Sequence, residues 1–133
     1  MHIKTIASLA AIALIFSTNI LAATYAEAEI KSMGHAADVK TFEWFESQMQ
    51  PAFSPVFSPV MGGCLNSEKS RPARIDMVFI VKSTGDIGSF FWKEPNRFTD
   101  CLENGLKNAK FPAPPDEEFY FGVGFNLPPK RNS

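Results

Sequence analysis

Two stretches of the chain carry apolar residues at helical spacing. Over residues 39–49 the apolar positions recur at intervals of three, three and four, which predicts an amphipathic helix with an inward stripe of Val39, Phe42, Phe45 and Met49. We expect Pro51 to end this helix, because proline lacks a backbone N–H and its ring clashes with the preceding turn. A second helix is predicted to begin after the N-cap residue Asn96 and to keep one side apolar through Phe98, Cys101, Leu102, Leu106 and Ala109.

Three other stretches have the pattern of β-strands. Residues 74–82 are β-branched and apolar on both faces, which predicts a central strand. A turn over 83–86 leads to a second strand over 87–93, with Phe90 and Trp92 on one face and Ile87 and Phe91 on the other. Over 119–127 large apolar residues alternate with small or polar ones. This alternation predicts a third strand with a solvated outer face and an inner face of Phe119, Phe121, Val123, Phe125 and Leu127.

The segment between the first helix and the first strand repeats the sequence Phe-Ser-Pro-Val, with prolines at positions 51, 55 and 59. A helix through Pro55 and Pro59 would cost about 3 kcal/mol for each interior proline. We therefore predict extended or turn structure for this segment. A structured connection with buried phenylalanines is favoured over a polyproline ligand for an aromatic groove. Residues 27–38 are small and polar and predict a flexible arm, and residues 128–133 predict a C-terminal tail.

The order of these elements is helix, proline segment, strand, turn, strand, helix, strand. A helix between the second and third strands can cross over the sheet. The predicted fold class is therefore α+β, with a small three-stranded antiparallel sheet, two helices packed on one face and one disulfide. The domain is expected to span residues 39–127.

Residues 1–26 have the pattern of a secretory signal peptide. Lys4 forms a short basic region, an apolar run over 6–15 follows, and small residues then fit cleavage after Ala26 or Ala28. The apolar run is shorter than the roughly 20 residues that a transmembrane helix needs. We expect an exported bacterial protein of the periplasm, with no stable membrane anchor after cleavage.

Cys64 and Cys101 are the only cysteines in the sequence. An even number of cysteines in an exported protein favours one structural disulfide over a reactive thiol. A bond between them would join the region before the first strand to the second helix, and would remove the best candidate for a nucleophile.

Composition argues against several classes of function. The formal net charge is −1 and no basic block occurs, so nucleic-acid binding has no electrostatic basis. His35 is the only histidine after the predicted signal peptide, so neither a zinc site nor a Cys–His pair can be assembled. The carboxylate run 116–118 is typical of a solvated turn. We predict no catalytic residues, no metal and no cofactor, and that the protein is not an enzyme.

Several of these motifs together resemble the TonB/TolA C-terminal domain superfamily. The motifs are Cys64 before a strand, the strand-turn-strand 75–92 around Thr84-Gly85-Asp86, Cys101 in a helix that ends at Lys110-Phe111-Pro112-Ala113-Pro114, and a final strand. The chain is most similar to the cysteine-containing C-terminal domains of AgmX/PglI-type gliding-motility proteins, over residues 49–127. It departs from the pattern at the Phe-Ser-Pro repeat, and it has no transmembrane helix or long proline-rich spacer of the kind that energy transducers use.

The resemblance implies a non-enzymatic periplasmic interaction domain, an envelope adaptor or assembly protein that binds an envelope protein by β-strand addition. Two surfaces are candidates for binding: the third strand with Phe119, Phe121, Val123 and Phe125, and the face with Phe90 and Trp92. Ordinary core packing is the alternative for both. The alternative function is a periplasmic inhibitor or immunity-type protein that blocks an envelope-targeting enzyme.

Overall fold

The computed structural model describes residues 24–129 and confirms the α+β class. Its elements in chain order are α1 (Tyr25–Ala37), α2 (Val39–Trp44), a π-helical turn (Phe45–Met49), α3 (Gln50–Ser67), β1 (Arg74–Lys82), β2 (Ile87–Trp92), α4 (Arg97–Leu106) and β3 (Glu118–Asn126). The strands form one antiparallel sheet in the order β2-β1-β3, which confirms that the first strand is central. Helix α4 lies between the two edge strands in the chain.

Helices α3 and α4 pack on one face of the sheet, which we call the inner face. Helix α4 was predicted, but the prediction of extended or turn structure was wrong for the segment of α3, and α1 packs on the opposite face. Phe53 and Phe57 on α3 contact Phe121 and Phe125 on β3, with ring centroids 4.8 and 4.6 Å apart. On α4 the predicted apolar side is buried at Phe98, Leu102 and Leu106. Offset aromatic packing of this kind contributes more than the buried area alone, so the inner face holds the main core.

The predicted disulfide is confirmed. Cys64 near the end of α3 is bonded to Cys101 on α4, with the two Cα atoms 5.9 Å apart. The two helices also approach closely at Gly105, where an added Cβ would lie 2.4 Å from Cγ1 of Val60. The bond therefore closes a helix pair that is already tightly packed.

The pairing of β1 with β2 is irregular, and this changes the face of one residue. Phe90 pairs with Phe79, but Ile87 pairs with Val81, so β2 has one residue more than β1 between these pairs. The extra residue turns Ile87 to the inner face, where it joins the core. The prediction that Ile87 and Phe91 share the face opposite to Phe90 and Trp92 was therefore wrong for Ile87, because a bulge reverses the alternation.

The predicted flexible arm over 27–38 was wrong, because most of this segment belongs to helix α1. Thr24 and Glu27 form a capping box at its start, and Ala28 is fully buried against Val78 and Tyr120 on the outer face of the sheet. Both predicted cleavage positions fall within the first turns of this helix. Residues 1–23 and 130–133, which include most of the predicted signal peptide and of the C-terminal tail, lie outside the described residues.

The prediction that Pro51 ends the first helix was also wrong. Helix α2, the π-helical turn and helix α3 follow one another without a break from residue 39 to residue 67. The N–H of Gln50 donates to the carbonyl of Phe45, five residues back. Such a widened turn leaves room for the ring of Pro51, which would otherwise clash with the carbonyl four residues earlier.

The two later prolines lie on the exposed side of α3. Pro55 and Pro59 face solvent, whereas Phe53, Phe57 and Cys64 face the core. The carbonyls that lack a helical partner therefore lie on the side where water can bind them. This helical segment does not have the polyproline conformation that an aromatic groove would recognise.

The predicted inward stripe of the first helix is only partly correct. Met49 is buried and Phe45 is half-buried, but Val39 is 72% exposed and Phe42 is 42% exposed. Trp44 is buried instead. The π-helical turn holds one more residue than an α-turn, so a stripe counted at α-helical spacing does not stay on one face.

Candidate functional site

The side chains that the sequence assigned to partner binding lie on the inner face. Phe119 and Phe121 are buried, and Val123 and Phe125 are half-buried and pack against the core. Phe45 of the π-helical turn stacks on Phe119 with ring centroids 5.9 Å apart. These four side chains of β3 therefore belong to the core, and the part of β3 that remains accessible is its backbone edge.

Phe90 and Trp92 lie on β2, the opposite edge strand. Their rings are stacked with centroids 5.9 Å apart, and both are half-buried against the core. Trp92 Nε1 donates to Glu103 Oε1 on α4 over 3.4 Å. The structure thus places Trp92 against α4, and the pair lies on the edge strand opposite to β3.

The backbone of β3 presents every second residue to the outside. Leu127, the residue that follows β3, donates its N–H to the carbonyl of Ala73 over 2.9 Å. By the register of the two strands, the odd-numbered residues of β3 therefore form the hydrogen bonds to β1. In an antiparallel ladder, the N–H and C=O groups of the intervening residues then point away from the partner strand. The outward N–H and C=O groups of β3 belong to the even-numbered residues Glu118, Tyr120, Gly122, Gly124 and Asn126.

His35 covers one of these outward groups. The N–H of Tyr120 donates to Nδ1 of His35 over 2.9 Å, and the imidazole also packs on the rings of Phe119 and Tyr120 with centroids 5.4 and 5.5 Å away. The outward N–H groups of Gly122 and Gly124 have no partner among residues 24–129, and both glycines are exposed. The free part of the edge therefore begins directly after Tyr120.

Two apolar grooves lie beside this edge. The α1 groove, a cavity of about 210 Å³, lies between α1 and the α2 region and is lined by Met33, Ala36, Phe42, Phe45, Phe121 and Gly122 among others. The α3 groove, of about 420 Å³, runs along α3 beside Phe125 and includes Phe53, Phe57, Met61 and Leu65. Met33 and Phe42 are 58% and 42% exposed, so the rim of the α1 groove is itself apolar.

The far end of β3 is polar. Arg74 forms an ion pair with Asp76, with Nη2 and Oδ1 2.9 Å apart, and donates from Nη1 to Oδ1 of Asn126 over 3.1 Å. These side chains lie over Gly124 on the outer face. Nearby on α1, burial raises the pKa of Tyr25, assisted by the negative charges of Glu29 and Asp76 and opposed by Arg74.

Three residues that define this site, His35, Gly122 and Gly124, have no local signal for their role. The composition of 27–38 predicts a flexible arm around His35, and the pattern of 119–127 predicts only a small outer face at the two glycines. The alternation of large and small residues in 119–127 indicated a strand with one solvated face, but the edge position follows only from the strand order. No local pattern indicated that a helix 85 residues away in sequence would cap it.

Comparisons with models of protein families, with curated proteins and with solved structures found no match to this chain. Within residues 24–129, no three histidine, cysteine, aspartate or glutamate side chains are grouped so that they could hold a metal ion. None of the helices in this part of the chain is both long and apolar enough to cross a membrane.

Proposed function

We propose that this protein is a non-enzymatic interaction domain of the bacterial periplasm, an envelope adaptor or assembly protein that binds an envelope protein by adding a strand to β3. The observation that carries the proposal is the pair of outward, unpartnered N–H groups at Gly122 and Gly124, flanked by the α1 and α3 grooves. Strand addition uses such an edge, because backbone bonds give affinity and alternate side chains give specificity.

The grooves matter because backbone bonds alone are weak. Each added hydrogen bond contributes a net 0.5–1.5 kcal/mol or so, whereas apolar surface removed from water contributes about 25 cal/mol for each Å². An added strand directs every second side chain to the inner side, where the α3 groove lies beside Phe125. We therefore expect the partner segment to be extended and to carry large apolar residues at alternate positions.

The other edge of the sheet is less suited to this role. Strand β2 has six residues against nine in β3, and its pairing with β1 is interrupted by the bulge after Ile87. Bulges and short edge strands are the usual devices by which proteins prevent strand addition. The proposal is therefore confined to β3.

The proposed family rests on the sequence motifs that resemble the TonB/TolA C-terminal domain superfamily, two of which are Cys64 and Cys101. The proposed location rests on the predicted signal peptide and on the bond between these two cysteines. A disulfide persists in oxidising compartments such as the periplasm. We propose on these grounds that the chain is a member of that superfamily and is exported.

The test removes one outward donor while the hydrogen bonds of β3 to β1, which the odd-numbered residues make, are kept. Gly124→Pro loses the outward N–H of residue 124, and edge strands tolerate proline at such positions. Gly124→Ala is the matched control: its Cβ, like that of proline, would lie 2.3 Å from Nη2 of Arg74 and displace the ion pair with Asp76, but it keeps the N–H. Val123→Pro would be a poor test, because the N–H of Val123 points towards β1.

Tagged wild type and both variants would be used to capture proteins from envelope extract, followed by mass spectrometry and measurement of the affinity for each captured protein. We expect a protein that wild type and Gly124→Ala retain and that Gly124→Pro binds at least about tenfold more weakly, from the lost bond and the steric block. Equal binding by a folded Gly124→Pro variant would reject strand addition at β3. Inhibition of a captured envelope-degrading enzyme would favour the inhibitor function instead.

A further inference from the structure

The hydrogen bond between Tyr120 and His35 requires a neutral imidazole. Nδ1 of His35 accepts the N–H of Tyr120 over 2.9 Å. A neutral imidazole has one acceptor nitrogen, whereas in the imidazolium both nitrogens are donors. Protonation therefore replaces an acceptor by a donor that faces another donor, and the bond cannot persist.

The position of His35 is set by the junction of α1 and α2. Its carbonyl accepts from the hydroxyl of Thr41, which is buried, and from the N–H of Asp38 over 3.3 Å. The side chain is thus presented to the β3 edge by backbone contacts that do not depend on the charge of the ring. Loss of the bond to Tyr120 would free the ring without dismantling the junction.

We infer that His35 is a pH-dependent cap of the β3 edge, which covers the N–H of Tyr120 when the imidazole is neutral and releases it when the imidazole is protonated. Histidine is the side chain whose charge ordinarily changes between about pH 5 and 8. The consequence for partner binding rests on the function proposed above, but the cap itself does not.

The ionisable groups around His35 come from three elements. On α1, Lys31 donates to the hydroxyl of Tyr120 over 3.4 Å and lies 5.0 Å from its ring centroid. Asp38 is engaged at the N-cap of α2, where it accepts from the N–H groups of Lys40 and Thr41. On β3 the ionisable groups are Glu118 and Tyr120. Lys31 therefore contacts the same Tyr120 ring on which the imidazole of His35 packs.

Release of the cap lengthens the free edge. The outward N–H groups of Gly122 and Gly124 are already available, and the N–H of Tyr120 would join them beside the α1 groove. A partner strand would then gain one backbone bond and a longer contact with the apolar rim at Met33 and Phe42. We expect partner binding to strengthen by about fivefold on acidification, the effect of one net hydrogen bond.

The cap can be tested on the isolated full chain by NMR. In wild type, the amide shift and the hydrogen-exchange protection factor of Tyr120 should follow the titration of the His35 ring signals, with a loss of protection of about fivefold. His35→Asn supplies an amide oxygen as an acceptor that does not titrate, and should keep Tyr120 protected at low pH. His35→Phe keeps a ring on Phe119 and Tyr120 but has no acceptor, and should hold Tyr120 at the lower protection factor at all pH values.

A Tyr120 amide that does not follow the titration of His35 in wild type would overturn the inference, whatever the variants do.

For binding, the protein captured by wild type but not by Gly124→Pro serves as the probe, at about pH 7.5 and pH 5.5. Stronger binding at the lower pH in wild type, absent in His35→Asn, supports regulation by the cap. If Gly124→Pro weakens binding but wild type binds equally at both pH values, the regulation is rejected and the strand-addition function is kept. No capture at all rejects that function, while the NMR result still decides the cap.

Discussion

At the scale of single residues, Gly85 shows how one turn holds two parts of the chain together. Its φ angle is +86°, a conformation that favours glycine. Its carbonyl accepts the N–H of Phe111 over 2.9 Å, so the hairpin turn is joined to the segment that follows α4. An added Cβ would lie 2.0 Å from the carbonyl oxygen of Phe111. The backbone conformation and the contact therefore both require the absence of a side chain.

We expect Gly85→Ala to lower the free energy of unfolding by at least about 2 kcal/mol, through strain at positive φ and displacement of Phe111. Urea denaturation followed by circular dichroism, with the disulfide intact, measures the effect. The control is Gly34→Ala, in helix α1, where an added Cβ meets no atom within 4 Å. This control should raise stability by about 0.5–1 kcal/mol. Equal stability of Gly85→Ala and wild type would show that the turn tolerates a side chain.

At the scale of elements, the helix from residue 39 to residue 67 forms although it contains three prolines. The π-helical turn accommodates Pro51, and the exposed side of α3 holds Pro55 and Pro59. Buried aromatic contacts of Phe53 and Phe57 then favour the helix over an extended segment. Tertiary packing of an apolar face ordinarily contributes more to helix stability than intrinsic propensity does.

If the helix forms against its prolines, removing one should stabilise the protein. We expect Pro59→Ala to raise the free energy of unfolding by about 1–3 kcal/mol, because it restores the N–H that can bond to the carbonyl of Pro55. Ser58→Ala, the neighbouring exposed position, is the control and should stay within about 0.5 kcal/mol of wild type. Thermal and urea unfolding measure the free energy of unfolding of wild type and of the two variants. A decrease in stability on replacing Pro59 would contradict this account of α3.

At the scale of the whole molecule, the bond between Cys64 and Cys101 joins the two helices of the inner face across a separation of 37 residues. In the chain-entropy model, closing a loop of this length stabilises the fold by about 4 kcal/mol. Small domains are stable by only about 5–15 kcal/mol. The disulfide therefore accounts for a large share of the stability expected here.

We expect the double variant Cys64→Ala/Cys101→Ala to lose about 4 kcal/mol of unfolding free energy relative to the oxidised protein. Wild type treated with a reductant should lose a comparable amount, which separates the bond itself from the change in side chains. In the folded oxidised protein, a thiol reagent should find no reactive cysteine. A loss below about 1 kcal/mol would mean that the packing of α3 on α4 suffices without the bond.

The sequence predicted the elements whose signal is local. The alternation over 119–127, the apolar run over 74–82 and the apolar side of the helix after Asn96 all correspond to elements of the structure. The pairing of Cys64 with Cys101 followed from their number alone. The resemblance to a known superfamily also made the third strand a candidate binding surface, which is the basis of the proposed site.

Only the tertiary structure decided the remaining features, because they depend on contacts between distant parts of the chain. Helix α1 becomes stable by burying the small side chain of Ala28 against the sheet, and α3 continues through its prolines because its phenylalanines pack on β3. The same packing turns the predicted binding side chains of β3 into core residues and leaves its backbone as the exposed edge. His35 reaches that edge from a helix 85 residues earlier, a proximity that no periodicity encodes.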